Sequence, residues 1–276
     1  MKNKKHLGQH WLKNRAILDQ IAQLAAGGVE LPPSDLGQAP QPATSAKLCL
    51  EIGPGLGTLT SSLLKVFPEV VAVEFDAELA RKLPGQFPGK NLTVLNRDIL
   101  SVNFEEVFTS AQTAQSIDKP YVVAGNIPYY ITQPIIRKFL QVTPRPLRLV
   151  LLMQKEVAER LAAEPGDLSY FAVFVQNLAD VALGPVVPAA EFTPPPKVDS
   201  QVLILEPRPE PILSEAALAL AKRGFSSPRK KLVSNLATPD RGREAWRETL
   251  IALDLNPDAR AEDLDLIDWQ ELERAL

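Results

Sequence analysis

Apolar residues recur along this chain with two periods. Around Ile17–Ala26 they return every three to four positions, the spacing of one helix face, and a helix is predicted there. From Lys47 onward, short β-branched or leucine-rich runs alternate with helical patterns. Leu48–Ile52, Val70–Phe75, Leu92–Asn96, Tyr121–Ala124 and Leu147–Met153 read as strands. Such alternation predicts an α/β fold, a parallel sheet with helices on both faces. Two later runs, Val181–Val187 and Gln201–Leu205, flank Pro194-Pro195-Pro196 and are expected to close the sheet as a final pair. The stretch from Gly27 to Ser45 holds Pro32, Pro33, Pro40 and Pro42 with few large apolar groups, and reads as a surface loop. Arg208-Pro209-Glu210-Pro211 reads as a linker, and everything after Ser214 as helical. The expected division is therefore an α/β domain over 1–207 and a small all-helical domain over 208–276. Within the latter, Ser227 followed by Pro228 predicts a helix start, since serine caps free N–H groups and proline suits the first helical position.

Composition narrows the class. With 276 residues, 45 % of them hydrophobic, the chain can bury one large core and a small second one. Its single cysteine, Cys49, lies in the apolar run Leu48-Cys49-Leu50, so no disulfide forms within the chain and a reducing compartment is expected. No run of about 18 apolar residues occurs and the basic N-terminus lacks an apolar signal core, so a soluble, cytoplasmic protein is expected. The net charge of −3 argues on average against a nucleic-acid binder. The charges are segregated, however. Residues 1–15 carry Lys2, Lys4, Lys5, Lys13 and Arg15 without an acid, and eight basic residues between Lys222 and Arg247 face only Asp240 and Glu244. An RNA partner stays open.

The sharpest local signal is Glu51-Ile52-Gly53-Pro54-Gly55-Leu56-Gly57-Thr58, directly after the first predicted parallel strand and before an apolar helix. In a doubly wound sheet the ligand sits beyond the carboxyl ends of the strands, where glycines let it approach the backbone. Glu74 ends the next strand roughly twenty positions after Gly53, where such folds hold ribose hydroxyls. Position 58 is threonine, not the third glycine that a dinucleotide's phosphates favour. The spacing therefore favours S-adenosylmethionine over NAD. Asp98, just past the third of these strands, is placed to accept a hydrogen bond from an adenine amino group, or simply to cap a turn.

Asn126-Ile127-Pro128-Tyr129 follows the fourth of these strands, at the same sheet edge. An adenine amino nitrogen is a poor nucleophile because its lone pair is delocalised into the ring. An oxygen from Asn126 and the backbone carbonyl of Ile127 can accept both N–H groups, localising the lone pair and aiming it at a methyl carbon without a metal. Tyr129 can stack on the base, and Pro128 stiffens the turn. A target adenine must leave its stack to reach such a pocket. The only histidines, His6 and His10, lie in the basic N-terminal arm, so histidine general-base chemistry is not expected.

Several separated motifs together resemble the KsgA-type small-subunit ribosomal RNA adenine dimethyltransferases, over nearly the whole chain. Leu7-Gly8-Gln9-His10-Trp11-Leu12 is similar to the family's N-terminal G-Q-N/H-F-L segment. Glu51–Gly57 resembles its E-I-G-P-G-x-G turn, and Asn126–Tyr129 its N-[LI]-P-Y motif. Met153-Gln154-Lys155-Glu156-Val157, the run from Phe192 to Ser200 and Arg260-Ala261-Glu262 also fit. The resemblance implies a Rossmann-like S-adenosylmethionine-dependent methyltransferase fold with an RNA-docking helical domain. Its implied substrate is two adjacent adenosines near the 3′ end of 16S-type rRNA in a small-subunit precursor, each becoming N6,N6-dimethyladenosine. It implies donor contacts at His10, Leu12, Gly53, Glu74, Asp98 and Asn126, and an aromatic base contact from Tyr129 or from Phe192, for which a core position is the alternative. Arg229, Lys230 and Lys231 are the implied RNA contacts of a monomer. Trp11 in place of the usual phenylalanine, the long Gly27–Ser45 loop, Leu168–Phe171 and Ser227–Lys231 depart from the family pattern.

Two other readings use the same residues. A protein methyltransferase acting on a glutamine amide would carry N-P-P-Y, but Ile127 fills the second position and the basic helical domain would have no role. A non-catalytic assembly factor on the same fold would tolerate loss of donor contacts, yet Gly53, Glu74, Asp98 and Asn126 are all present.

Overall fold

The apolar strand runs pair side by side as the alternation requires. The computed structural model describes residues 10–27, 46–111 and 120–276, without the side chain of Tyr129. In chain order the elements are β1 (Trp11–Leu12), α1 (Arg15–Ala25), β2 (Leu48–Ile52), α2 (Thr58–Val66), β3 (Glu69–Glu74), α3 (Ala77–Lys82), β4 (Leu92–Asn96), α4 (Phe104–Ser110), β5 (Tyr121–Asn126), α5 (Thr132–Gln141), β6 (Arg148–Gln154), α6 (Lys155–Leu161), α7 (Tyr170–Leu178), β7 (Ala179–Val187), β8 (Phe192–Thr193), β9 (Ser200–Pro207), α8 (Glu215–Gly224), α9 (Leu232–Leu236), α10 (Arg243–Ala252) and α11 (Leu266–Arg274), with short 3-10 turns between some of them. The loop expected over Gly27–Ser45 lies, apart from Gly27, outside the described residues, as does Leu7-Gly8-Gln9.

Among the described residues the main sheet has the order β4-β3-β2-β5-β6-β9-β7. The first five of these strands are parallel, and β9 runs antiparallel to β6. Both faces are covered. Val70, Val122, Ala124, Val150 and Leu152 pack with Leu18 and Ile21 of α1 and Leu59 and Leu63 of α2, while the intervening Val71, Val123, Leu149 and Leu151 are equally buried. The predicted helix begins at Arg15, where the Asn14 side chain caps the N–H groups of Ala16 and Ile17. Arg148, buried at the start of β6, pairs with Glu206 of β9 and donates to the Leu24 carbonyl at 2.7 Å, so its charge is compensated.

The topology decides where a ligand sits. The chain passes outward from β2 through β3 to β4, then returns to the other side of β2 as β5. The crevice between the carboxyl ends of β2 and β5 is thus a topological switch point. Ile52 and Gly125 are neighbours there, so the glycine turn and the Asn126 turn emerge side by side.

The chain packs as two compact units, Met1–Ala158 with Ala182–Pro207, and Glu159–Val181 with Arg208–Leu276. The expected break after residue 207 is one of the crossings, but the α7 segment belongs with the helical unit. The reason is packing. Leu168, Ala172 and Val173 share one apolar cluster with Leu220, Trp246, Leu250 and Trp269, and Asn177 accepts from the Leu213 N–H through its side chain at 2.6 Å. The helix expected to start at Ser227-Pro228 also shifts. Residues 227–230 form a turn, closed by Lys230 N–H to the Ser227 carbonyl at 3.0 Å, and α9 begins at Leu232. Proline fits the second position of such a turn, and Asn235 Nδ2 fastens it by donating to the Ser227 carbonyl at 3.0 Å.

Gly224 closes this unit. A Cβ there would lie 2.4 Å from Cη2 of Trp269, whose ring is fully buried and has no room to retreat. Gly224→Ala is expected to destabilise the protein by ~1–3 kcal/mol through overpacking. Denaturant unfolding of the two proteins side by side checks this, and identical midpoints would show that Trp269 yields freely.

Candidate active site

The turn after β2 can be made only by residues that tolerate positive φ. Gly53, Gly55 and Gly57 have φ of 62°, 56° and 78°. At Gly53 an added Cβ would meet no atom within 4 Å, so the missing side chain leaves the cleft open beside the backbone. Glu74, at the end of β3, braces this turn from below. Its Oε2 accepts from Gly55 N–H at 2.9 Å and its Oε1 from Asp76 N–H at 2.8 Å. Burial raises the Glu74 carboxyl from its ordinary range, and these two hydrogen bonds oppose the rise. Glu74 lines the cleft, where paired hydroxyls can donate to its remaining lone pairs. Asp98, past β4, accepts from Leu100 N–H at 2.9 Å through Oδ1 and stands at the rim.

On the other side of the switch point, Asn126 is held by the N-terminal segment. Its Nδ2 donates to the His10 carbonyl at 3.0 Å, which turns Oδ1 into an available acceptor. Ile127 N–H is tied to the Leu152 carbonyl at 3.1 Å and its side chain is buried, so its backbone is fixed in the adjacent turn. His10 is itself stitched to the proline cluster. Nδ1 lies 2.8 Å from the Pro194 carbonyl, and because a carbonyl only accepts, Nδ1 carries the proton. Next to it β1 pairs antiparallel with β8. Three segments far apart in sequence thus converge on one amide.

The cleft encloses about 220 Å³ and brings together His10, Gly53, Glu74, Asp98, Asn126, Ile127 and Pro128 of the predicted set. It adds Phe75, Leu100 and Tyr130, which motif reading did not single out, and Trp11, which the motifs marked only as a departure from the family pattern. Their signal was available only in part. Phe75 and Tyr130 directly follow functional positions and are 63 % and 65 % exposed, unusual for aromatic residues beside a sheet. Two predicted contacts are not in the cleft. Leu12 is 1 % exposed and Phe192 3 % exposed, paired across β1 and β8 within the apolar core. For Phe192 the core position therefore prevails over the base contact, because β8 turns its side chain inward. The Tyr129 side chain lies outside the described residues. Arg229, Lys230 and Lys231 are exposed in the helical unit, with Lys231 and Arg247 both paired to Asp258 at 2.9 and 3.2 Å.

Glu51, one residue before the β2 end, is a different kind of acid. It is 1 % exposed, and neither carboxyl oxygen completes a hydrogen bond among the described residues. Burial pushes it up to about 8. The groups of Thr60 beside it bring partial relief, and the nearby Glu74 charge adds to the rise.

Comparison with known proteins fits this geometry. A family model described as ribosomal RNA adenine dimethylase matches residues 1–256. A protein of Synechococcus elongatus named ribosomal RNA small subunit methyltransferase A is 39 % identical over 285 residues, covering 98 % of this chain and 93 % of that one. One of the same name from Dehalococcoides mccartyi is 34 % identical over 281 residues, covering 99 % and 88 %. Among solved structures, a dimethyladenosine transferase from Plasmodium falciparum superposes with a TM-score of 0.73 at 26 % identity, covering 95 % of this chain and 96 % of that one. The 23S rRNA methyltransferase ErmE superposes with a TM-score of 0.72 at 25 % identity, covering 96 % and 98 %. The sheet with its two turns at the switch point is accordingly the S-adenosylmethionine-dependent methyltransferase fold expected from the motifs. Matched by the family model over all but the last twenty of its 276 residues, the chain belongs to the ribosomal RNA adenine dimethylase family.

Proposed function

We propose that this enzyme transfers methyl groups from S-adenosylmethionine to N6 of two adjacent adenosines near the 3′ end of the small-subunit (16S) rRNA, giving N6,N6-dimethyladenosine in a small-subunit precursor. One observation carries the reading. A tethered amide oxygen and a fixed backbone turn stand at the same switch point as a glycine turn braced by an acid.

The residues fit the donor. The open backbone at Gly53 gives close approach, Glu74 keeps acceptor capacity for the ribose hydroxyls, and Asp98 offers Oδ2, which has no hydrogen-bond partner among the described residues, to the adenine amino group. When bound, the donor supplies an electrophilic methyl carbon on a positively charged sulfur. The chain does the rest by orientation. Asn126 Oδ1 and the Ile127 carbonyl accept the two N–H groups of the target amino group, so its lone pair points along the line of attack. Pro128 stiffens this turn and Tyr129 stacks on the extruded base. As the new N–C bond forms, the methyl–sulfur bond breaks and its electron pair stays on sulfur, so that the donor leaves as the neutral thioether S-adenosylhomocysteine; the nitrogen becomes cationic, and its proton leaves to water. The second transfer repeats the geometry with one N–H fewer.

The helical unit is read as the RNA-docking domain, with Arg229 and Lys230 the better phosphate contacts because Lys231 shares Asp258 with Arg247. Replacing Arg229 and Lys230 by alanine is expected to lower the slope of log K against log salt for small-subunit binding by about one to two, while Lys231→Ala alone changes it less. Filter binding across a salt series measures this. Equal effects from all three positions would remove the distinction. A ribosomal substrate is in keeping with a cytoplasmic enzyme, and no helix among the described residues is long and apolar enough to cross a membrane.

The deciding experiment is transfer of labelled methyl from S-adenosylmethionine to small subunits lacking the modification, followed by nucleoside analysis. N6,N6-dimethyladenosine at two adjacent positions is the expected result. Donor binding with unlabelled RNA would turn the reading toward a protein substrate or an assembly role.

A further inference from the structure

Outside the residues already assigned, one cation reaches across the site. Lys138 lies on α5, the helix that grows out of the Asn126–Ile131 turn. Its Nζ donates to the carbonyls of Leu100 at 3.0 Å and Val102 at 2.9 Å, and lies 5.1 Å from the centroid of the Phe104 ring. The next residue, Phe139, meets Phe104 edge-on with centroids 5.4 Å apart. Both carbonyls belong to the turn that carries Asp98. Within that turn the Asp98 carbonyl accepts from the N–H groups of Ser101 at 3.0 Å and Val102 at 2.9 Å. The N–H groups of Leu100, Ser101 and Val102 are thus satisfied by Asp98, while the Leu100 and Val102 carbonyls would otherwise be left to water. A partly buried ammonium holding both is a stronger clamp than a surface ion pair, because charge-assisted hydrogen bonds gain strength as water is withdrawn.

We propose that Lys138 is a positioning residue: by clamping the Asp98 turn to the helix that begins at the Asn126 turn, it sets the distance between the adenine end of the donor and the target base. The inference rests on the reading that Asp98 receives the donor's adenine amino group. Ile99 and Val102 anchor the turn in the apolar core, and the clamp adds a polar hold on the exposed side, so that the exposed Asp98 presents its carboxylate at a defined place. Asp98 Oδ1 is held by Leu100 N–H, and the carbonyl of that same Leu100 is held by Lys138. Removal of the ammonium frees the turn, and the free energy of ordering it is then drawn from donor binding.

The test uses the full chain carrying Lys138→Met, Lys138→Gln or Lys138→Arg. Each variant is titrated with S-adenosylmethionine and with its inosine analogue, in which oxygen replaces the adenine amino group. The wild type is expected to prefer the amino form. Lys138→Met is expected to raise the Kd for S-adenosylmethionine about tenfold and the Kd for the analogue by less than roughly twofold, so that discrimination collapses. Because the clamp sets the distance between donor and target base, the single-turnover rate on unmethylated small subunits at saturating donor should also fall, by more than roughly threefold, and Lys138→Arg should restore both the rate and the preference. If Lys138→Met fails to fold, Lys138→Gln, which keeps one neutral donor, decides the same comparison. Unchanged discrimination overturns the proposal, as does an equal loss for both ligands accompanied by a matching fall in thermal midpoint. A wild type that does not distinguish the two ligands removes the Asp98 contact and the role of Lys138 with it. A wild type that binds and discriminates but leaves rRNA unmethylated sinks the substrate reading alone, since the binding comparison still decides Lys138.

Discussion

Replacing Asn126 by alanine is expected to slow methyl transfer by roughly 10²–10³ while changing donor affinity less than about tenfold. The asymmetry follows from the two halves of the amide. Nδ2 is spent on the His10 carbonyl, which leaves Oδ1 as the acceptor that the reacting amino group needs. Alanine removes the acceptor and leaves the glycine turn, Glu74 and Asp98 untouched. Asn126→Asp is expected to be poor as well. A carboxylate has no N–H for His10, so its oxygens are no longer held in place and meet the carbonyl with like partial charge. Equilibrium binding of S-adenosylmethionine together with single-turnover transfer to unmethylated small subunits separates the steps. A parallel loss in both would reassign Asn126 to holding the donor.

Glu51 controls a second large effect, on stability. In the fold its carboxyl titrates at about 8, whereas an exposed glutamate has an ordinary value of 4.5. The folded state therefore binds one more proton than the unfolded state between these values, and stability falls as pH rises through that window. The contribution is fully present below the unfolded value and lost as pH passes the folded one. Glu51→Gln keeps the shape of the side chain without the ionisation. The stability of the variant relative to wild type should thus rise from pH 5 to pH 9 by on the order of a few kcal/mol. Denaturant unfolding of both proteins at pH 5, 7 and 9 measures it, and superposable pH profiles would contradict a buried neutral Glu51.

The sequence by itself determined the layers and the location of the chemistry. Strand runs such as Leu48–Ile52 and Leu92–Asn96 appear with the bounds their apolar pattern predicts, because periodicity is a local record of which faces are buried. The Gly53–Gly57 turn and the Asn126 turn were legible for the same reason, since the backbone at each is dictated by residues in immediate succession. Partners across the chain were not. That the Asn126 amide is held by His10, that His10 leans on Pro194, and that Glu74 braces Gly55 depend on contacts between segments whose local patterns do not mention one another. Phe192 shows the limit most clearly. An aromatic residue before a proline cluster has one sequence whether it faces a base or the core, and only the pairing of β8 with β1 decides that it is buried. Likewise Ser227-Pro228 has the composition of a helix start and the structure of a turn, because Asn235 claims the Ser227 carbonyl from eight residues away. Local composition sets what each segment can form. Tertiary packing, by satisfying particular buried polar groups and filling particular volumes, decides which of those options is kept and which side chains reach the cleft.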